Sequence, residues 1–497
     1  MKPYFYLLMS LMGLFVCFGC APNLQDRIEV TQEYAEGKVQ MTEDWFRTND
    51  VPLTLLKCRE LAHERTLKLT ESKLNAQVAH LRSVGAFSAF LPQVNATYQR
   101  AGTNKTLRTN ISSLGMTAQM QDRWVTESAL TISQPVFAPN AWLLWLASHK
   151  GAQLQQLIAD RNEQMLDVQV ASLFYQAAVA AQMVKAYEAQ SQASAELLKQ
   201  VEHLKGEGLV LKGEAARVEV FHKSDIYNGI IAQDNRTLAK AQLLDMLNFY
   251  PLAEAVPNVD GDSLLEVRNL PWALTDGEGK FLPCTRVEAM QSPLEEWLWA
   301  ALVNRKEMWA GDLNVQLRKV EALAALAHFL PTLSVSGGGA YSSNDFLTPH
   351  KYLTGGVGGV MYLFDGLQSI SDYMTARENG RAAYDLREDS ASTLMVSVWQ
   401  AWTNWRQARD RVEVAESSKR AAEIDYDETY ERYKNDQETL SDVLDKFSAR
   451  EQARIDALSA GYADALSEYV FRDTVGLGWG EEVPAATPVS SVTTVVE

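Results

Sequence analysis

The sequence predicts a mainly α-helical protein with four β-strands per chain, too few for one chain to close a barrel. Three observations lead there. The chain repeats itself: Phe90-Leu91-Pro92 opens FLPQVNATYQ, and 239 residues later Phe329-Leu330-Pro331 opens FLPTLSVSGG. Phe137 in QPVF and Phe364 in YLFD echo each other in the same order, so the duplication spans most of the chain. Two helical runs of about 65 residues carry heptad seams and imply rods of about 100 Å. Finally, after residue 20 no apolar run reaches the roughly 20 residues of a membrane-spanning helix. Any membrane crossing then falls to a closed β-barrel, which leaves no backbone group unpaired in lipid.

Bulk composition narrows the function classes. The chain has 497 residues, 46% hydrophobic, which excludes wholesale disorder. Its net charge of −17 argues against nucleic acid as a partner, since phosphate neutralisation needs a basic surface.

Residues 1–20 read as an export signal, with Lys2 followed by a nearly continuous apolar stretch from Tyr4 to Phe18. Gly19-Cys20 resembles the end of a bacterial lipobox, which makes Cys20 the lipidation candidate; ordinary signal cleavage is the alternative. Beyond it only Cys58 and Cys284 remain, so no disulfide framework supports the fold.

Residues 21–52 are polar and irregular and read as an extended arm. The first repeat occupies 53–250. A helix runs from Leu53 to Phe90 and stops at Pro92. A strand follows, with Val94, Ala96 and Tyr98 on one face and Asn95, Thr97 and Gln99 on the other. Residues 104–123 read as a polar loop, and alternation resumes at Trp124, Leu130 and Ile132. Apolar-out, polar-in alternation suits a water-filled barrel and also a half-buried soluble sheet. The long helix from Asn140 to Leu204 has a seam of Leu166, Val170, Leu173, Ala177, Ala180, Val184 and Tyr187. Glycines 206, 208 and 213 break it, and a return helix runs from Glu214 to Asn248.

Residues 251–290 are the linker between copies, and 291–480 form the second repeat. There, Leu294–His328 is helix, Leu333–Tyr341 and Tyr352–Leu363 are strands, and Leu367–Tyr433 is the second long helix. Its seam steps through Ala391, Met395, Val398, Trp402 and Trp405, and a return helix ends before Gly476. The tail from 481 to 497 reads as disordered.

No enzyme chemistry is legible. The seven histidines are scattered, and neither a nucleophile elbow nor a phosphate loop occurs, so no cofactor or metal is expected.

The doubled FLP, the QPVF and YLFDG strand ends, Asn304-Arg305, YKNDQETLSDVLD at 433–445 and Gly476-Leu477-Gly478-Trp479 together resemble the TolC-like outer-membrane efflux proteins. Within them the chain looks like the lipoprotein branch serving multidrug pumps. The resemblance covers about residues 50–480. It implies a homotrimer: a twelve-stranded transmembrane β-barrel, four strands from each chain, continued by a long α-helical coiled-coil barrel through the periplasm of a Gram-negative bacterium. The shorter helices would stack end to end, 53–90 with 440–475 and 214–248 with 294–328. The partners it implies are a periplasmic adaptor protein, an inner-membrane pump and outer-membrane lipid.

The helix breaks would form the periplasmic tip. The resemblance places Asp442 and Asp445 in a ring of carboxylates that narrows the opening; three residues apart, they share a helix face. Tyr433 matches a tyrosine that latches the tip to an acidic residue of the other repeat, a position held here by Glu214. Asp436 and Glu438 depart from the family pattern, so the latch is expected to be absent or rebuilt. Gly208, Leu209 and Leu440 are the expected adaptor contacts. Trp142 and Trp145 are candidates for a headgroup belt or for burial between helices. The leading function is a passive exit duct of a tripartite efflux system. A duct for one-step (type I) protein secretion and a periplasmic coiled-coil scaffold without a pore are the alternatives.

Overall fold

A computed structural model describes residues 24–49, 53–111, 116–208, 210–252, 272–275, 281–346, 348–435 and 437–478. The export signal with Cys20, most of the linker, Leu209, Asp436, Trp479 and the tail lie outside the described residues.

The arm contains α1 (Leu24–Thr48), and residues 53–250 contain α2 (Leu55–Arg65), α3 (Leu67–Phe87), β1 (Gln93–Gly102), β2 (Leu107–Ile111), β3 (Met116–Gln121), β4 (Trp124–Phe137), α4 (Pro139–Gly206) and α5 (Lys212–Met246). Then come β5 (Trp272–Thr275), β6 (Phe281–Cys284) and α6 (Arg286–Gln291). The second repeat contains α7 (Leu294–Asn304), α8 (Lys306–Ala327), β7 (Thr332–Ser342), β8 (Lys351–Val360), α9 (Gln368–Lys434) and α10 (Leu440–Val475). The long helices α4 and α9 have 68 and 67 residues, as the heptad seams predict. No described helix is long and apolar enough to cross a membrane.

Four strands form one antiparallel sheet in the order β1-β4-β7-β8. Cross-strand partners share a face. Val94 pairs with Ile132, Ala96 with Leu130, Leu130 with Gly339 and Gly339 with Leu353, so the apolar residues of all four strands line up on one side. Asn95 with Thr131 and Thr97 with Ala129 lie on the other, more polar side. On the two edge strands both faces are open, since every residue of β1 and β8 is exposed.

The helices form a wall beneath the sheet. α4 packs against α5 and α3 and, on another side, against α8 and α10; α9 packs on α8 and α10. Here the stacking differs from expectation. The start of α3 meets the end of α5, where Thr66 Oγ1 donates to the Met246 carbonyl (3.0 Å) and Asn248 Nδ2 donates to the Arg65 carbonyl (3.2 Å). The start of α8 meets the end of α10 through Arg305 and Asp473. Each short helix therefore continues a partner other than the one expected.

Four further differences have local causes. The arm is helical over Leu24–Thr48: its end is anchored where Trp45 and Phe46 pack on Phe249 and the Thr42 hydroxyl accepts from the Tyr250 N–H at 2.9 Å. The loop at 104–123 is a β2–β3 hairpin, because polar residues pair as readily as apolar ones when both faces are wet. The single helices 53–90 and 294–328 each break, at Thr66 and Arg305, where both adopt extended backbone. The linker contributes the β5–β6 hairpin and α6, and Trp272 inserts beside Trp297, Trp405 and Phe471.

The largest core surrounds mid-α4, where Leu166, Val170, Phe174 and Ala177 meet Leu55 and Leu61 of α2, Leu243 of α5, and Tyr469 of α10. Burying side chains of this size contributes about 1.5–3 kcal/mol each. A second core joins Val398 and Trp405 of the α9 seam to Trp297 and Phe471. Arg472 is buried here with its guanidinium 4.7 Å from the Trp272 ring centroid, and burial pulls its pKa down to about 10.

Candidate functional site: the paired hairpin tips

Each half of the chain has a tight reversal between its long helix and the helix that follows. In the first, Gly208 takes φ +79°, a left-handed conformation that glycine adopts without a Cβ penalty. The α5 start is capped by its own acid: the Leu211 N–H donates to Glu214 Oε2 at 3.2 Å. In the second, the Gln437 N–H donates to the Arg432 carbonyl at 3.0 Å and closes the turn. The Thr439 N–H donates to Asp442 Oδ2 at 3.1 Å, and Thr439 Oγ1 accepts from the Asp442 N–H at 3.3 Å. Glu214 and Asp442 thus occupy the same capping position in the two repeats, a reciprocal arrangement at Thr439. The bonds from Thr439 hold the Asp442 carboxyl below the usual carboxylate range.

Beneath the turns lies an apolar plug. Leu197 and Val201 of α4, Ala215 and Val218 of α5, and Leu440 and Leu444 of α10 pack together, with Tyr433 against them. One hydrogen bond, from Tyr430 Oη to Gln200 Oε1 (3.2 Å), further ties α9 to α4. Deeper still, Phe447 meets Phe221 and Tyr426 edge-on, and Arg450 sits 4.0 Å from the Tyr426 ring centroid.

The expected tip residues are therefore brought together, in different roles. Asp442 is half-buried and engaged as a cap, whereas Asp445 is exposed; Lys446 lies next to both and pairs with Asp425 at 2.6 Å. Leu440, expected as an adaptor contact, is 4% exposed and belongs to the plug, because the first residue of a capped helix turns its side chain inward here. Glu438 lies 3.7 Å from Arg432 of its own chain.

Sequence reasoning missed two buried polar groups. Between α4 and α5, Gln190 Nε2 donates to Asp225 Oδ1 at 2.7 Å, and Ser194 Oγ lies 2.9 Å from His222 Nδ1. Asp225 Oδ2 is buried with no direct hydrogen bond among the described residues, and desolvation raises the carboxyl pKa. At the upper joint, Arg161 donates to Asp473 (2.9 and 3.1 Å), and Arg305 donates to the Asp473 carbonyl (2.6 Å), to its carboxylate (3.1 Å) and to Glu307 (2.8 Å). Gly476, at φ +93°, sits against Asn304, where a Cβ would come within 3.3 Å of the Asn304 Cβ. The Asn304-Arg305 and Gly476-Leu477 motifs are thus two sides of one joint. The YLFDG motif has a similar explanation. Gly366 takes φ +70°, and Asp365 Oδ2 accepts the Ser369 N–H at 3.0 Å in the first turn of α9. Trp142 and Trp145 cluster with Phe87 and Phe90 where the helices enter the sheet.

A family model for outer membrane efflux proteins matches residues 297–468. Over these residues the chain is similar to the outer membrane efflux proteins. Its fold is also that of solved outer-membrane channels. The CmeC channel of Campylobacter jejuni superposes with TM-score 0.71 at 16% identity, over 89% of each chain. VceC of Vibrio cholerae superposes with TM-score 0.70 at 14% identity, over 86% of this chain and 96% of that one. The open-state MtrE channel of Neisseria gonorrhoeae gives TM-score 0.67 at 18% identity, over 86% and 89%. No curated protein matches the sequence.

Proposed function

We propose that three copies of this chain close head to tail into one tube, a passive exit duct in the outer membrane. A periplasmic adaptor and an inner-membrane pump supply its substrates. The observation that carries this reading is that the chain ends in matching open edges. At one edge stands β1, joined to α3, which sits over α5; at the other stands β8, which runs into α9. Apolar residues lie exposed on both: Leu81 and Val84 of α3 and Ile230 of α5, against Val396, Trp399 and Ile424 of α9. Unlike edges that meet around a rotation axis make a closed ring. Three copies of the four-stranded sheet make a twelve-stranded barrel, within the range of outer-membrane barrels. The apolar face of the sheet then meets lipid, and Cys20 anchors the chain beside it.

In this reading the tips form the periplasmic entrance. Threefold symmetry brings six carboxylates, Asp442 and Asp445 of each copy, around one axis, which favours cations. Tyr433 and Glu214 brace the turns behind them. Gly208 and Leu209 present the outermost backbone to the adaptor, and Leu440 supports it from within. The outer membrane channels named above support the transport reading, with no chemical step at any point.

Purified protein in planar bilayers tests it. Discrete conductance steps are expected, and Asp445→Asn, which leaves the caps intact, weakens cation preference. Absence of any conductance overturns the duct, and unchanged ion preference overturns the carboxylate gate.

A further inference from the structure

We infer that the groove between α8 and α9, just below the sheet, is a binding slot for one anionic phospholipid of the periplasmic leaflet. The inference rests on the outer-membrane reading above. The groove holds about 550 Å³ and is lined by residues of both helices. Its apolar wall includes Leu323, Leu326 and Tyr373, and its cations include Lys319 and Arg377. Arg318 and Arg381 also line it but are neutralised by Glu321 (2.8 Å) and Glu378 (3.0 Å) on their own helices. Asp385 is the acid in the lining. Lys319 and Arg377 have no ion pair with a described carboxylate, in a chain whose net charge is −17.

Position supplies the orientation. α8 ends at Ala327 and α9 begins at Gln368, both at the sheet. At 1.5 Å per residue, Leu323 and Tyr373 lie about 6–8 Å from that level, while Lys319 and Arg377 lie about 12–14 Å from it. The slot is therefore apolar toward the bilayer and cationic away from it. A phospholipid with its chain rising into the membrane and its phosphate pointing down presents the same order. Exposed Leu323 and Leu326, at 52% and 46%, gain cover from the acyl chain. The phosphate meets two cations that nothing else in the groove neutralises.

The test uses the full-length protein in mild detergent with equal phosphatidylglycerol and phosphatidylcholine, read by native mass spectrometry. Wild type is expected to retain phosphatidylglycerol over phosphatidylcholine by about thirtyfold, the scale that two juxtamembrane cations at about 1 kcal/mol each provide. The double variant Lys319→Gln, Arg377→Gln brings the ratio near one. Lys205→Gln with Lys212→Gln, at the far tip, leaves it unchanged. Equal retention by wild type, an unaltered preference in the groove variant, or the same loss in the tip variant overturns the inference. All four residues are outside the core, so folding is preserved. Lipid retention is read without a bilayer, whereas the duct reading fails through absent conductance, so the two failures are distinguishable.

Discussion

The two ends of this molecule are finished to different degrees. At the tips, each turn is capped by its own acid, and both repeats share one apolar plug, so a single chain satisfies its own groups. At the sheet, four strands leave β1 and β8 unpaired on their outer sides and both faces exposed. Between them, the upper joint links four charged residues, Arg161, Arg305, Glu307 and Asp473, in one network, with Arg305 and Asp473 buried. The lesson is that the tips satisfy their polar and apolar groups largely within one chain, whereas the sheet leaves edges and faces that one chain does not cover.

The contrast can be broken most severely at the sheet. A Cβ on Gly338 would stand 2.2 Å from the Leu130 carbonyl oxygen, so Gly338→Ala should prevent β4 from pairing with β7. Loss of the oligomer on size-exclusion chromatography in detergent is the expected readout, and an intact oligomer would show that the edge geometry does not depend on this contact. Next in size is the joint. Asp473→Ala leaves Arg161 and Arg305 sharing Glu307 alone, and removing one partner of a buried pair costs about 3–5 kcal/mol. A thermal melt should show it. At the tip, Leu440→Ala empties part of the plug and costs about 2–5 kcal/mol, with the smaller figure if the turns collapse into the space.

The smallest effects have opposite pH signs. Asp225 has a raised pKa, so the folded state binds its proton more tightly than the unfolded chain does, and its burial as an anion destabilises increasingly as pH rises above the unfolded value. His222 and Glu451 face it from α5 and α10. Asp225→Asn should therefore raise the melting temperature at pH 7 and lose that advantage in acid. Asp442 has a lowered pKa, so its cap stabilises at neutral pH and fades as pH falls through the folded value. Asp442→Asn should cost stability at pH 7 and nothing in strong acid. Matching pH profiles for the two variants would contradict these assignments.

Much of the architecture was legible because its signals are periodic. Leu166, Val170, Ala177 and Val184 of the first seam and Ala391, Val398 and Trp405 of the second are buried as their spacing requires, whereas Met395 of the second is 37% exposed. The four strands of the main sheet follow from alternation between Val94 and Tyr98 and its counterparts. The hairpin at 107–121 escaped because its residues alternate little in polarity, and the arm at 24–48 because its apolar anchors sit only at one end. The breaks at Thr66 and Arg305 escaped for a different reason. Neither carries proline or glycine; each is imposed by the end of another helix arriving there. At the tip, Thr-Leu-Ser-Asp at 439–442 is a legible capping signature, and it would have placed Asp442 in a cap rather than only in a gate. Leu440 could not be assigned inward from sequence, since the plug gathers residues some 240 positions apart.

The central claim is that one chain supplies a third of a closed wall. The mass of the full-length protein in mild detergent, measured by native mass spectrometry, tests it most directly. The account predicts a single species of three chains of about 55.4 kDa each, allowing for removal of the signal. A stable monomer, or an assembly of two or four chains, would contradict it.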